Sequence, residues 1–107
     1  MTLRALDPAF PIDRQLAVPA APVMLANVFT LDPADEPAFL HAWQSDADFM
    51  KRQPGFISAQ LHRAIGDSPT YLNLAVWEST ADFRAAFTHP TFAAQKSAVD
   101  SQTARFR

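Results

Sequence analysis

Apolar and polar positions alternate with a period of two over three stretches of this chain and recur at helical spacing over two others. Residues 23–31, VMLANVFTL, put Val23, Leu25, Asn27 and Phe29 on one face of a strand, and Met24, Ala26 and Val28 on the other. Residues 54–79, PGFISAQLHRAIGDSPTYLNLAVWES, read as two further strands joined by a tight turn, and the rest of the chain is organised around them. By parity, Phe56, Ser58, Gln60 and His62 share a face of the first of these, and Tyr71, Asn73, Ala75 and Trp77 share a face of the second. The complementary rows, Ile57, Ala59, Leu61 and Leu72, Leu74, Val76, are wholly apolar. A four-residue loop at Gly66–Pro69 would set His62 opposite Asn73 and Ser58 opposite Trp77, with opposed Cβ atoms roughly 4.5–5.5 Å apart. One sheet face is then expected to hold an imidazole, two carboxamides and an indole at close range.

The helical periods flank this hairpin. The first helix starts near Asp32–Pro37, where Asp32 or Asp35 is placed to cap it and Pro33 or Pro37 to sit in its first turn. Phe39, Leu40, Trp43, Ala47 and Met50 recur on one stripe, which predicts a buried face. Lys51 and Arg52 suit the negative end of the helix dipole, and Pro54-Gly55 turns the chain into the hairpin. Ser79 with Asp82 has the spacing of a capping box for the second helix, whose core face is Phe83, Ala86 and Phe87. His89-Pro90 interrupts that helix, and a further turn or two carries Phe92, Lys96 and Val99. Weak alternation of Thr103 and Arg105 with Ala104 and Phe106 predicts the start of a fourth strand.

The element order is strand, helix, strand, strand, helix, strand. This is the split βαβ pattern of the ferredoxin-like fold, in the α+β class. It occupies residues 23–107. Residues 1–22 hold four of the nine prolines and read either as an extended arm laid over the domain or a partner, or as a tail with no fixed place. Two helices cover one face of such a sheet, yet both faces read as largely apolar. A second sheet is expected to cover the Met24/Val28, Ile57/Leu61, Leu72/Val76 face, which predicts a homodimeric α+β barrel.

Composition narrows the function classes. A chain of 107 residues is one domain, and a net charge of −2 offers no basic footprint for nucleic acid or an anionic membrane. The absence of cysteine excludes disulfides, thiolate metal sites and a cysteine nucleophile, and two glycines are too few for the loops that hold nucleotide phosphates. No apolar run approaches the roughly 18–20 residues of a membrane-spanning helix. The proline-broken N-terminus has no signal-peptide core, so a cytoplasmic protein is expected. The histidines His41, His62 and His89 are too scattered to suggest a metal site, and His41 and His89 are placed at the surface and at a helix start.

The strand bearing Asn27, the helix ending at Gln53-Pro54-Gly55-Phe56, the segment Leu61-His62-Arg63 and the run Asn73–Ser79 resemble the antibiotic biosynthesis monooxygenase domain over about residues 22–99. The resemblance implies a dimeric barrel with a pocket between sheet and helices. It is strongest to the cofactor-free members that oxidise aromatic polyketide anthrones to quinones. Their pocket residues match His62, Asn73 and Trp77, and a basic residue of the last helix matches Lys96. A pocket tyrosine matches Phe83, so its hydroxyl is missing here. The haem-degrading branch matches less well: its pocket asparagine matches Asn27, but its helix tryptophan falls on Ala86 and its haem-ligand histidine on Lys96.

The residue types suit oxygen chemistry without a cofactor. An electron-rich carbanion or phenolate reduces O2 directly, so the protein must supply a base, donors for the developing oxyanion and a dry pocket. In this reading His62 takes or relays the proton, Asn73 and Trp77 donate to the oxyanion, Lys96 holds a phenolate or quinone oxygen, and Asn27 and Phe83 contact the substrate. The partners are a small aromatic substrate, O2 and a second copy of the chain, with no cofactor, metal, nucleic acid or membrane. Each residue also has a purely structural reading: Trp43 and Trp77 as core indoles, Asn27 and Asn73 as amides bonded to backbone, His62 at a solvated sheet end, Lys96 on a solvated helix face. On those readings the chain is a non-catalytic small-molecule binder or stress-linked module of the same fold.

Overall fold

The computed structural model describes residues 7–92. Its elements are a helical turn α1 (Ile12–Gln15), strand β1 (Val23–Thr30), helix α2 (Glu36–Met50), strands β2 (Phe56–Arg63) and β3 (Thr70–Trp77), and helix α3 (Thr80–Phe87). The strands form one antiparallel sheet in the order β1-β3-β2, as the split βαβ pattern requires. The fourth strand expected around residues 103–106, with Lys96 and Val99, falls outside the described residues.

Strand β1 pairs with β3 without irregularity, from Val23 opposite Trp77 to Thr30 opposite Thr70. The parity expected for both strands therefore holds: Leu25, Asn27 and Phe29 lie over Ala75, Asn73 and Tyr71 on the face that the helices cover. Strand β2 departs from expectation. A β-bulge falls between Phe56 and Ser58: Phe56 pairs with Trp77, but Ser58 pairs with Val76. One extra residue on one strand reverses the facing of everything beyond it. Ala59 and Leu61 therefore stand opposite Ala75 and Asn73 on the inner face, while Ser58, Gln60 and His62 stand on the outer face opposite Val76, Leu74 and Leu72. The hairpin closes through the Ala64 N–H donating to the Thr70 carbonyl, so its loop is longer than four residues. The expected facing of His62 and Asn73 does not occur.

Helix α2 is entered through a 3-10 turn at Pro33–Asp35, and neither Asp32 nor Asp35 makes a side-chain cap. Proline in the first turn and the Asp35 N–H donated to the Asp32 carbonyl start the helix instead. The buried stripe is Phe39, Ala42, Ala47 and Phe49; Trp43 and Met50 are half-buried and Leu40 is exposed, so the stripe is rotated slightly from the expected one. Gly55, between α2 and β2, has φ +85°. Helix α3 starts as its sequence predicts. The Ser79 hydroxyl oxygen accepts from the Asp82 N–H at 3.1 Å and its proton goes to Asp82 Oδ2 at 3.0 Å.

Two clusters make the core. Phe29, Leu31, Phe39 and Tyr71 fill one end of the sheet, joined by Trp43 and Leu61. Ala75, Trp77, Phe83 and Ala86 fill the other, joined by Leu25, Met50, Phe56 and Phe87. The segment before β1 packs onto the second cluster through Leu16, and it contains the α1 turn where an extended arm was expected. Among the described residues no helix is long and apolar enough to cross a membrane.

Candidate active site

Between the inner sheet face and the helices lies a cavity of about 670 Å³, in the range of small-molecule sites, roughly 300–1,000 Å³. Its position follows from side-chain size. Ala59 and Ala75 face each other on the floor, and Ala47 is the nearest small residue of α2. Larger residues bound the space: Trp43 and Met50 from α2, Phe83 and Phe87 from α3, and Phe92 beyond it.

Polar groups in this apolar space are few and linked. Asn27 and Asn73 are directly opposed across β1 and β3. Asn73 Nδ2 donates to Asn27 Oδ1 at 3.2 Å, and Trp43 Nε1 donates to Asn73 Oδ1 at 3.2 Å. The carboxamide of Asn73 is thus held at both ends by side chains. A carboxamide has two N–H donors, so one of those of Asn73 remains beyond the bond to Asn27. All three residues line the cavity. Trp77 lines it too while being only 1% exposed. Its ring packs edge-on against Phe56, with centroids 5.4 Å apart, and tilted against Phe83 at 5.6 Å. The carboxylates on the wall are Asp46, one helical turn on from Trp43, and Asp13 of the α1 turn.

The end of the sheet beyond the amide pair is clasped by charge. Arg63 donates to Glu36 through Nε at 2.8 Å and Nη2 at 3.2 Å, and the Tyr71 hydroxyl donates to the same carboxylate. Bonding to Arg63, and next to Tyr71, holds the Glu36 carboxyl down at about 2. The Arg63 guanidinium is pushed up by the same bond. Burial, followed by the bond to Glu36, pushes the Tyr71 phenol up. The clasp fixes the start of α2 to the hairpin end, with the Tyr71 ring tilted against Phe39 at 5.0 Å between centroids. It lies two residues along β3 from Asn73 and braces the amide pair.

The structure therefore brings together Asn27, Asn73, Trp77 and Phe83 of the expected site. It separates His62 from them. That imidazole is exposed on the opposite sheet face, opposite Leu72, because the bulge reverses β2. Lys96 lies outside the described residues. Sequence reasoning missed Trp43 as a site residue, having placed it in the core stripe. The signal available was its indole N–H, which needs a partner when buried. It also missed Asp46, and Phe10 and Ile12 of the N-terminal segment.

The model of the antibiotic biosynthesis monooxygenase family matches residues 22–97. The chain belongs to this family. Among curated proteins it is 37% identical to tetracenomycin-F1 monooxygenase of Streptomyces glaucescens, over 62% of this chain. That match spans 59% of the relative's length, less than two thirds of it. It is 34% identical to deoxynogalonate monooxygenase of Streptomyces nogalater, over 77% of this chain and 69% of that one. Among solved structures it is similar to SnoaB, a cofactor-independent oxygenase from Streptomyces nogalater. The TM-score is 0.68 at 30% identity, covering 82% of this chain and 90% of SnoaB. A Mycobacterium tuberculosis protein at 15% identity, with TM-score 0.70 over 81% of this chain and 89% of that one, shares the fold alone.

Proposed function

We propose that this member of the family is a cofactor-independent monooxygenase that oxidises a small fused-ring aromatic, an anthrone or hydroquinone, with O2. The observation that supports this best is the amide pair Asn27–Asn73, fixed by Trp43 inside a largely apolar cavity. The relatives are named tetracenomycin-F1 monooxygenase and deoxynogalonate monooxygenase, and SnoaB is described as a cofactor-independent oxygenase.

In the proposed reaction an anthrone methylene becomes a carbonyl, one oxygen atom of O2 is retained, and the other leaves as water. The slow part is forming the electron-rich enolate, which then passes electrons to O2. The remaining Asn73 N–H is placed to donate to the enolate oxygen. Trp77 offers its indole at the same floor, and Asn27 and Phe83 contact the substrate. Donors fixed before the charge develops need no rearrangement, and the apolar walls keep the field strong. His62 faces away from this cavity, so the proton acceptor is assigned to Asp46, the α2 carboxylate on the cavity wall.

The outer sheet face supports a homodimer. Met24 is 63% exposed and Leu72 36%, in one row with Ala26, Val28, Leu74 and Val76. Apolar surface of this kind is normally covered by a partner, and a second copy of the sheet is the covering proposed here.

The test is oxygen uptake with anthrone and naphthohydroquinone, using protein freed of metal and flavin. Asn73→Ala and Trp77→Phe are expected to lower kcat by about 10- to 1,000-fold, the range for a lost oxyanion donor. Asp46→Asn is expected to slow the reaction with little change in KM. Wild-type rates in all three variants would reduce these residues to packing and leave a small-molecule binder.

A further inference from the structure

The family match begins at residue 22, yet Phe10, Pro11, Ile12, Asp13 and Gln15 line the cavity. We propose that residues 10–15, which carry the α1 turn and lie outside the matched family domain, form a specificity wall in which Phe10 and Ile12 set how many fused rings the ligand has. This rests on the aromatic-ligand reading of the cavity.

The turn is built to hold a fixed position. Pro11 starts it, and Gln15 Nε2 donates back to the Phe10 carbonyl at 2.7 Å. The Arg14 guanidinium sits 5.1 Å from the centre of the Phe10 ring and bonds the Ala9 carbonyl at 3.0 Å. Three further bonds tie the segment to α3. Arg84 Nη1 donates to the Leu16 carbonyl at 2.6 Å, and the Thr80 N–H and hydroxyl donate to the Ala20 carbonyl at 3.0 and 3.3 Å. Leu16 packs into the Trp77–Phe83 cluster. A side chain anchored this way bounds a space rather than sweeping through it.

Phe10 is nonetheless 55% exposed, a large apolar ring held at the mouth of an apolar cavity. The floor beneath is made by Ala59 and Ala75, so the sheet bounds the depth and this segment the lateral extent. A flat ligand of three or four fused rings would reach Phe10 and Ile12 and cover them at contact distances of roughly 3.5–4 Å. A two-ring ligand would stop short of both.

Binding is measured on the full-length protein by quenching of Trp43 and Trp77, the chain's two tryptophans, both of which line the cavity. The probes are 1,8-dihydroxyanthraquinone, with three rings, and 5-hydroxy-1,4-naphthoquinone, with two; the chain has no cysteine to react with either. Phe10→Ala and Ile12→Ala are expected to raise Kd for the three-ring probe about tenfold and to change the two-ring probe by less than twofold. Ile12→Trp, which fills the space, is expected to exclude the three-ring probe and keep the other. Equal effects on both probes, unchanged affinities, or a wild type that binds neither would overturn the wall. If the pattern appears but anthrone consumes no oxygen, the wall stands and the oxygenase reading falls. Oxygen uptake with unaltered ring preference in the variants gives the reverse result.

Discussion

Trp43 of α2 and Asn73 of β3 are joined by a 3.2 Å hydrogen bond from indole nitrogen to carboxamide oxygen. The bond has a direction, and the direction matters more than its strength. With the oxygen of Asn73 occupied by an N–H donor, its nitrogen must face Asn27 and the cavity. A tryptophan on the helix thus decides which end of an amide on the sheet meets the ligand.

Trp43→Phe keeps an aromatic ring against the core and removes the donor. Asn73 is then free to turn over, presenting an acceptor where the proposed reaction needs a donor. We expect kcat to fall about tenfold or more with KM nearly unchanged, since the interaction lost is one made mainly in the transition state. Combined with Asn73→Ala the two losses should not add, because Trp43 acts through Asn73. Steady-state kinetics of the four proteins of this cycle provide the check. Full additivity would mean that the indole contacts substrate independently.

Strong acid should loosen the clasp. The Glu36 carboxyl titrates at about 2 in the folded chain, against 4.5 ordinarily. Its folded value is depressed, so the stability it contributes is present above about pH 4.5 and is lost as the pH falls towards 2. Thermal melts of wild type and Glu36→Gln should differ at pH 7 and converge towards pH 2. A gap that stays constant across that window would mean that the Arg63 bonds do not depend on the carboxylate charge.

Leu61 and Leu74 lie on opposite faces of the sheet, although simple parity places them on the same one. Leu61 packs with Phe29, Phe39 and Tyr71, and Leu74 belongs to the outer row. Leu61→Asp puts an unpaired charge in the core and should unfold the domain, at a cost of several kcal/mol. Leu74→Asp should leave the fold intact and dissociate the dimer. Light scattering with circular dichroism separates the two, and a monomeric wild type would remove the dimer from the proposal.

Gly55→Ala should be costly for two reasons. The residue has φ +85°, where a Cβ is strained, and the added carbon would overlap the Asp82 side chain that helps cap α3. Strain of this kind costs about 1–3 kcal/mol, a fall in Tm of roughly 4–8 °C per kcal/mol for a domain of this size. A melt within a degree of wild type would show that the turn relaxes freely.

The fold was legible wherever side chains follow a simple period. Leu25, Asn27 and Phe29 face Ala75, Asn73 and Tyr71 as alternation requires, and Ser79 caps α3 as its spacing to Asp82 requires. Half of the site could be read for the same reason, since Asn27, Asn73, Trp77 and Phe83 lie on regular elements. What failed was counting across an irregularity. Nothing in PGFISAQLH distinguishes a bulge at Ile57 from a regular strand, and that single residue decides whether His62 or Leu61 faces inward. The α1 turn was hidden differently: four prolines before residue 23 suggest extended chain, and only tertiary bonds from Thr80 and Arg84 give the segment a place.

The bulge also has an evolutionary reading. It places Ala59, rather than Ser58 or Gln60, opposite Ala75, so the cavity exists because two methyl groups meet where larger side chains would close the gap. Room for a ligand is therefore tuned one carbon at a time on a rigid floor, with no loop to rebuild. A lineage that exchanged either alanine for valine would trade depth of the cavity for packing while keeping every strand in register. Deleting residue 57 would remove the bulge and leave Ser58 opposite Val76 and His62 opposite Leu72, so the imidazole would still face outward. The space above the floor can therefore change while the pairing that holds Asn27 against Asn73 stays as it is.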